Sequence, residues 1–235
     1  ADTGRGTMTD LHCRLADTHC HLTLPDFRLD LGEVLGRARG AGVERILVPG
    51  IDLATSRSAV ALAEAEGGVY AAVGIHPHAA RTYTETIERE LRELADSDRV
   101  LAIGEIGLDY YRDRSPRPAQ RDAFRAQLAL ATELGLPVVV HNRESTADVM
   151  ADLVEHAGRQ RPELAGRVGV LHAFSAGLDV GREAAQAGFF LGIAGTVFAV
   201  GVPFVNAWFP PERRGLALGV FGAGMGGTAI SALTP

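Results

Sequence analysis

Between residue 14 and about residue 188 the chain alternates short apolar, β-branched runs with longer segments of helical periodicity, six times over. Few folds accept that order. A strand, a helix and a second parallel strand must cross over in one hand, so repeated βα units build a parallel sheet with helices packed on it. The strand-like runs are "RLADTHCHL" (14–22), "VERILVPG" (43–50), "VYAAVGI" (69–75), "RVLAIGEIGL" (99–108), "PVVVH" (137–141) and "RVGVLHAF" (167–174). Helices fit near 31–40, 54–66, 83–96, 117–134, 145–157 and 178–187, and "FFLGIAG" from residue 189 supplies a seventh strand. The predicted class is α/β, a (β/α)8 barrel of the TIM type that is incomplete at seven strands. An open doubly wound sheet is the alternative. Residues 1–10 read as a disordered leader, 11–195 as the barrel and 196–235 as an atypical apolar tail.

In a barrel of this kind the chemistry sits at the C-terminal ends of the strands, and those ends carry unusual residues. "DTHCH" spaces His19 and His21 two apart on the first strand, which puts both imidazoles on one face and Cys20 on the other. Glu105 follows "LAIG" at the end of the fourth strand, His141 ends the fifth after "PVVV", and His172 ends the sixth after "VGVL". Any one of these has a bland explanation as a satisfied core histidine or a capping carboxylate. Together, four His and one Glu at one rim form a mixed nitrogen and oxygen shell suited to Zn2+, Mn2+ or Co2+, with Mg2+ possible. One ion needs three or four protein ligands, so five candidates point to two divalent ions, with Glu105 as the only member able to bridge them. That chemistry is hydrolysis, most naturally of a phosphodiester.

"GIHPH" adds His76 directly after the third strand, as a residue for contacting a scissile phosphate or moving a proton. His78 reads as a loop residue, and His12 and His156 as bland. Arg112, Arg114, Arg117, Arg121 and Arg125 follow "GLDYY"; interspersed Asp113 and Asp122 make a solvated, salt-bridged face the better reading than a phosphate grip with Tyr110 and Tyr111 stacking on bases. Arg143 in "HNRES" is the candidate substrate-binding cation.

The chain is acidic overall, with a net charge of −6, which excludes coating nucleic acid through global charge and leaves local contacts only. Two cysteines, Cys13 and Cys20, form neither a CxxC pair nor a disulfide framework and fit a reducing cytoplasm. Beyond residue 188 the only charged side chains are Glu212, Arg213 and Arg214. Two apolar segments there, 189–209 and 215–235, are each long enough to span a membrane as helices, which makes membrane association of the tail an expectation. A GxGxxG string at Gly222, Gly224 and Gly227 has no acidic residue after it and is discounted as a dinucleotide fingerprint.

With these residues assembled, the sequence resembles the TatD-type metal-dependent deoxyribonucleases, through "DTHCHL", "VGIHPH", "AIGEIGLDYY", "QLALATELGLPVVVHNRES" and "VLHAFSAG", over about residues 14–195. The resemblance implies His19, His21, Glu105, His141 and His172 as metal ligands, His76 as a site residue with Glu105, and a cytoplasmic two-metal nuclease acting on DNA ends with no stable protein partner. The family pattern continues to an eighth strand whose "ETDxP"-like segment supplies one more Asp, and this chain has no such segment. The stretch after "GIAGTV" instead resembles a helix, a basic loop and the next helix of nitrate/nitrite transporters of the major facilitator type. Taken together the resemblances imply a hydrolase body joined within 189–198 to a transporter-like fragment, with weaker metal affinity than the full pattern. The alternatives are an amide or ester hydrolase, of an aminoacyl bond for example, and an inactive membrane-associated fusion.

Overall fold

A computed structural model describes residues 15–193. Seven parallel strands pair in chain order: β1 (Leu15–Asp17), β2 (Val43–Pro49), β3 (Val69–Val73), β4 (Val100–Asp109), β5 (Val138–Arg143), β6 (Gly169–Phe174) and β7 (Phe189–Ile193). Between them run α1 (Leu31–Gly40), α2 (Leu53–Ala65), α3 (Glu85–Leu94), α4 (Arg117–Leu134), α5 (Thr146–Ala157) and α6 (Leu178–Gln186), with a short 3-10 helix at Pro77–Thr82. The sheet curls into a half-barrel. Among the described residues β1 pairs only with β2 and β7 only with β6. The leader (1–10), the tail (196–235), His12 and the Gly222–Gly227 string lie outside these residues, as does the apolar segment 189–209 beyond Ile193; its start, Phe189–Ile193, is the strand β7. No helix among the described residues is long and apolar enough to cross a membrane.

The helix boundaries follow local chemistry. Asp52 caps α2 through its side chain, accepting from the Thr55 backbone N–H at 2.8 Å, while the Thr55 hydroxyl accepts in return from the Asp52 N–H. Thr84 accepts from the Ile87 N–H to start α3, and Gly135, left-handed at φ 68°, ends α4. Strand residues then split by parity between two environments. Ile46, Val48, Val73, Ile103, Val138, Val140 and Leu171 join the main core, into which α1, α2, α4 and α5 send Leu35, Val60, Phe124 and Leu153. Each such fully buried side chain contributes roughly 1.5–3 kcal/mol by leaving water. On the other face a smaller cluster of Ala72, Ala102 and Val139 is joined by Leu47 and Val170.

That second row positions the site. Two residues beyond Val139 on the same face is His141, two beyond Val170 is His172, and four beyond Ala72 is His76. Glu105 breaks the count from Ala102, because the β4–β5 register shifts between Ile103 and Ile106. The close β4–β5 approach at this level requires Gly107: its φ is 135°, and a Cβ there would sit 2.0 Å from the His141 carbonyl oxygen.

Three expected boundaries change. β1 stops at Asp17, so His19 and His21 lie just past the strand; the Cys20 N–H still donates to the Leu47 carbonyl at 3.0 Å, which preserves the alternation, with Cys20 fully buried and both imidazoles on the other side. Glu105 stands in the middle of the ten-residue β4, which runs on to Asp109. His141 and His172 are likewise followed by two more strand residues.

Candidate metal centre

Two buried glutamines of α4 hold the strand ends that carry the site. Gln127 accepts from the Ile75 N–H and donates to the Ile75 carbonyl, fixing the backbone just before His76. Gln120 does the same for both backbone groups of Asp109. The Glu105 N–H donates to the Gly50 carbonyl and the His76 N–H to that of Ile51, so the loop after β2 ties both residues down. Buried amides and carbonyls paired in this way leave little freedom to the side chains they carry.

Glu105, 3% exposed, is the centre of the cluster. Its Oε2 lies 3.2 Å from His19 Nε2 and 3.4 Å from His21 Nε2, which are themselves 3.1 Å apart. Its Oε1 lies 3.0 Å from His141 Nδ1 and 3.8 Å from His76 Nε2. His172 stacks on His19 with ring centroids 3.5 Å apart. Donor atoms thus gather in two groups that share one carboxylate, His19–Glu105–His172 and His76–Glu105–His141. Four-coordinate ions with bonds of about 2.0–2.1 Å place neighbouring ligand atoms roughly 3.3 Å apart. The distances around Oε2 match that spacing. The two converging Nε2 atoms of His19 and His21 are the arrangement expected where lone pairs face a cation rather than each other.

The protonation states agree with a cation site. Burial pushes His76 and His172 down to about 3, so both rings are neutral near pH 7. Burial alone would raise Glu105, but hydrogen bonds from His141, His19 and His21 outweigh it and hold the carboxyl well below its ordinary range. Burial would lower His141; Glu105 on one ring nitrogen and Asp109 on the other reverse that and raise it.

Asp109 is the functional residue that sequence reading passes over. It is 1% exposed, and its Oδ2 meets His78 Nε2 at 2.8 Å and His141 Nε2 at 3.3 Å, while Oδ1 accepts the backbone N–H groups of Tyr111 and Arg112. Burial would raise this carboxyl; the Arg112 N–H, His78 and His141 outweigh it and lower it. His141 thus bridges two carboxylates, Nδ1 on Glu105 and Nε2 on Asp109, which fixes its ring. His78, expected to be a plain loop residue, therefore belongs to the site. The signal was present: Asp109 ends "AIGEIGLD" in the position that made His141 and His172 suspicious.

The structure brings His19, His21, His76, Glu105, His141 and His172 together and leaves Arg143 aside. Arg143 lies at the end of β5 with its guanidinium 4.2 Å over the Tyr111 ring. Tyr110 is similarly engaged, by Arg117 and by Asp148. Arg117, Arg121 and Arg125 pair with Asp113, Asp148 and Asp152, the salt-bridged face their spacing predicts. His156 is buried on α5, where it bonds to Thr132 and Gln160 rather than to any member of the cluster. Above the cluster opens a cleft of about 620 Å3.

The profile of the family described as TatD related DNase matches residues 16–201. The chain belongs to that family. A relative in Bacillus subtilis (strain 168), named as the uncharacterized metal-dependent hydrolase YabD, is 40% identical over 198 residues, covering 84% of this chain and 73% of the relative. The 3'-5' ssDNA/RNA exonuclease TatD of Musicola paradisiaca (strain Ech703) is 40% identical over 204 residues, 86% of this chain and 70% of that one. Among solved structures, the TatD homologue YJJV of Escherichia coli superposes with a TM-score of 0.71 at 33% identity, over 80% of this chain and 70% of the other. The TatD fold, a barrel-like α/β sheet, and a metal-dependent hydrolase of TatD type follow from these matches.

Proposed function

We propose that the chain hydrolyses phosphodiesters at the ends of single-stranded DNA, using two divalent ions held by His19, His21, Glu105, His141 and His172. The observation that carries this reading is the Glu105 carboxylate, which offers one oxygen to each of two groups of imidazoles. The names of the relatives, metal-dependent hydrolase and 3'-5' exonuclease on ssDNA or RNA, support the same reaction class. Divalent ions at such a pair of sites supply charge for the phosphate oxygens and lower the cost of ionising a water; Mg2+, Zn2+ and Mn2+ are the candidates.

The chain's own residues do the rest. Glu105 neutralises part of the ion charge in a buried setting. His76, neutral near pH 7, accepts the His78 backbone N–H at Nδ1, so its own proton sits on Nε2, which makes that nitrogen a hydrogen-bond donor to a phosphate oxygen. Asp109 fixes the His141 and His78 rings. The cytoplasm is the compartment this reading assumes.

The test is nucleotide release from end-labelled single-stranded DNA with added Mg2+ or Mn2+, comparing the protein with the His19→Ala/His21→Ala double variant. The expected loss is at least about 100-fold. Equal release by both proteins removes the catalytic assignment. Turnover of an aminoacyl ester with none of DNA moves it to ester hydrolysis on the same centre.

A further inference from the structure

The cleft above the cluster is lined by two cations, Arg81 and Arg114, and both are exposed. They differ from the three arginines of α4. Arg117, Arg121 and Arg125 are neutralised by carboxylates, whereas no ion pair engages Arg81 or Arg114 among the described residues. The Arg81 guanidinium donates to the Arg114 carbonyl oxygen, so the two residues sit side by side. In an acidic chain, two exposed arginines that line the same cleft without a carboxylate partner favour an anion there.

The placement is built rather than incidental. Ser115, fully buried, pins the two loops that carry these residues: its hydroxyl donates to the His78 carbonyl at 2.9 Å and accepts from the Arg81 N–H at 3.3 Å. Gln120 holds the Ser115 carbonyl from below at 2.8 Å. The same pin joins the 3-10 turn of His76 and His78 to the loop that follows Asp109. The backbone that carries the two arginines is therefore fixed relative to the metal cluster.

We propose that Arg81 and Arg114 form a subsite for a backbone phosphate next to the one cleaved, which makes an oligonucleotide, with its several phosphates, a better substrate than a diester with one. This rests on the phosphodiesterase reading and adds a specificity-determining pair to it. Arg114→Ala and the double variant Arg81→Gln/Arg114→Ala lose about 10- to 100-fold in kcat/KM on a single-stranded oligonucleotide, chiefly through KM. Both retain unchanged rates on bis(p-nitrophenyl) phosphate, which has a single phosphate. The salt dependence of oligonucleotide binding, read by fluorescence anisotropy on the metal-free protein, loses roughly 0.7 in log–log slope for each phosphate contact removed.

Arg159→Ala, just past the C-terminus of α5, is the charge-matched control for Arg114→Ala, and Arg159→Ala/Arg167→Ala that for the double variant. Oligonucleotide kinetics and salt slope in the double variant equal to those of its two-charge control overturn the subsite, as does an equal loss on both substrates. Wild-type protein that binds the oligonucleotide through these arginines but cleaves neither substrate supports the subsite and overturns the phosphodiesterase reading.

Discussion

The interior of the curled sheet has two layers of opposite character, built on the same strands. The lower layer is apolar: Leu47, Ala102, Val139 and Val170 face inward, and a cavity of about 580 Å3 opens beside them. Two residues on, roughly 6.6 Å along a strand, Val139 gives way to His141 and Val170 to His172, and the cleft above has nearly the same volume but is walled by imidazoles and guanidinium groups. The contrast separates what makes the fold from what makes the site. Small apolar residues let strands close up, and the next inward position on each strand is free to carry chemistry. Phe190, paired with Val170 on the seventh strand and 62% exposed, marks the edge where the lower layer meets solvent.

Three substitutions test whether the layers are separable. Asp109→Asn keeps the shape of the upper layer but removes the charge that orients His141 and His78, and the expected cost is about 10- to 100-fold in metal affinity by calorimetry, with the thermal midpoint nearly unchanged. A smaller effect belongs to His156→Gln, which probes a buried histidine outside both layers. Burial depresses His156 to about 4, so the folded protein keeps it neutral where the unfolded chain takes up a proton. Its stabilisation is complete above the ordinary imidazole range and is lost as pH falls toward 4; in chelator-treated protein the variant should show a flatter decline of the urea midpoint over that window, with metal affinity unmoved. Smallest is Phe190→Ser, a surface-like change expected to shift stability by no more than about 0.5 kcal/mol while lowering binding of an apolar dye. If Phe190→Ser weakened metal binding as much as Asp109→Asn, the two layers would be one unit.

Much of this architecture is legible in the chain because strand and helix periodicities are clean and several strands end on a residue out of place in a loop. His19, His21, Glu105, His141 and His172 stood out for that reason. Asp109 did not, because "LAIGE" reads as a strand ending at Glu105 once alternation is assumed; only the register shift between Ile103 and Ile106 lets both Glu105 and Asp109 face inward on one long strand. His78 was invisible without Asp109, since an imidazole in a loop acquires meaning only from its partner. Arg114 was read as one of a basic series with Arg112, Arg117, Arg121 and Arg125, yet the helix begins at Arg117 and Arg114, in the loop before it, lines the cleft. Arg143 was chosen for its nearness in sequence to His141, and its guanidinium instead lies over Tyr111.

Glu105 draws its partners from residue 19 on one side and residue 172 on the other. During translation, then, the first two imidazoles appear long before the acid they need, and the last ring arrives only with the sixth strand. A chain halted before residue 172 would therefore lack one member of the His19–Glu105–His172 group, whereas every member of the His76–Glu105–His141 group would already have been made.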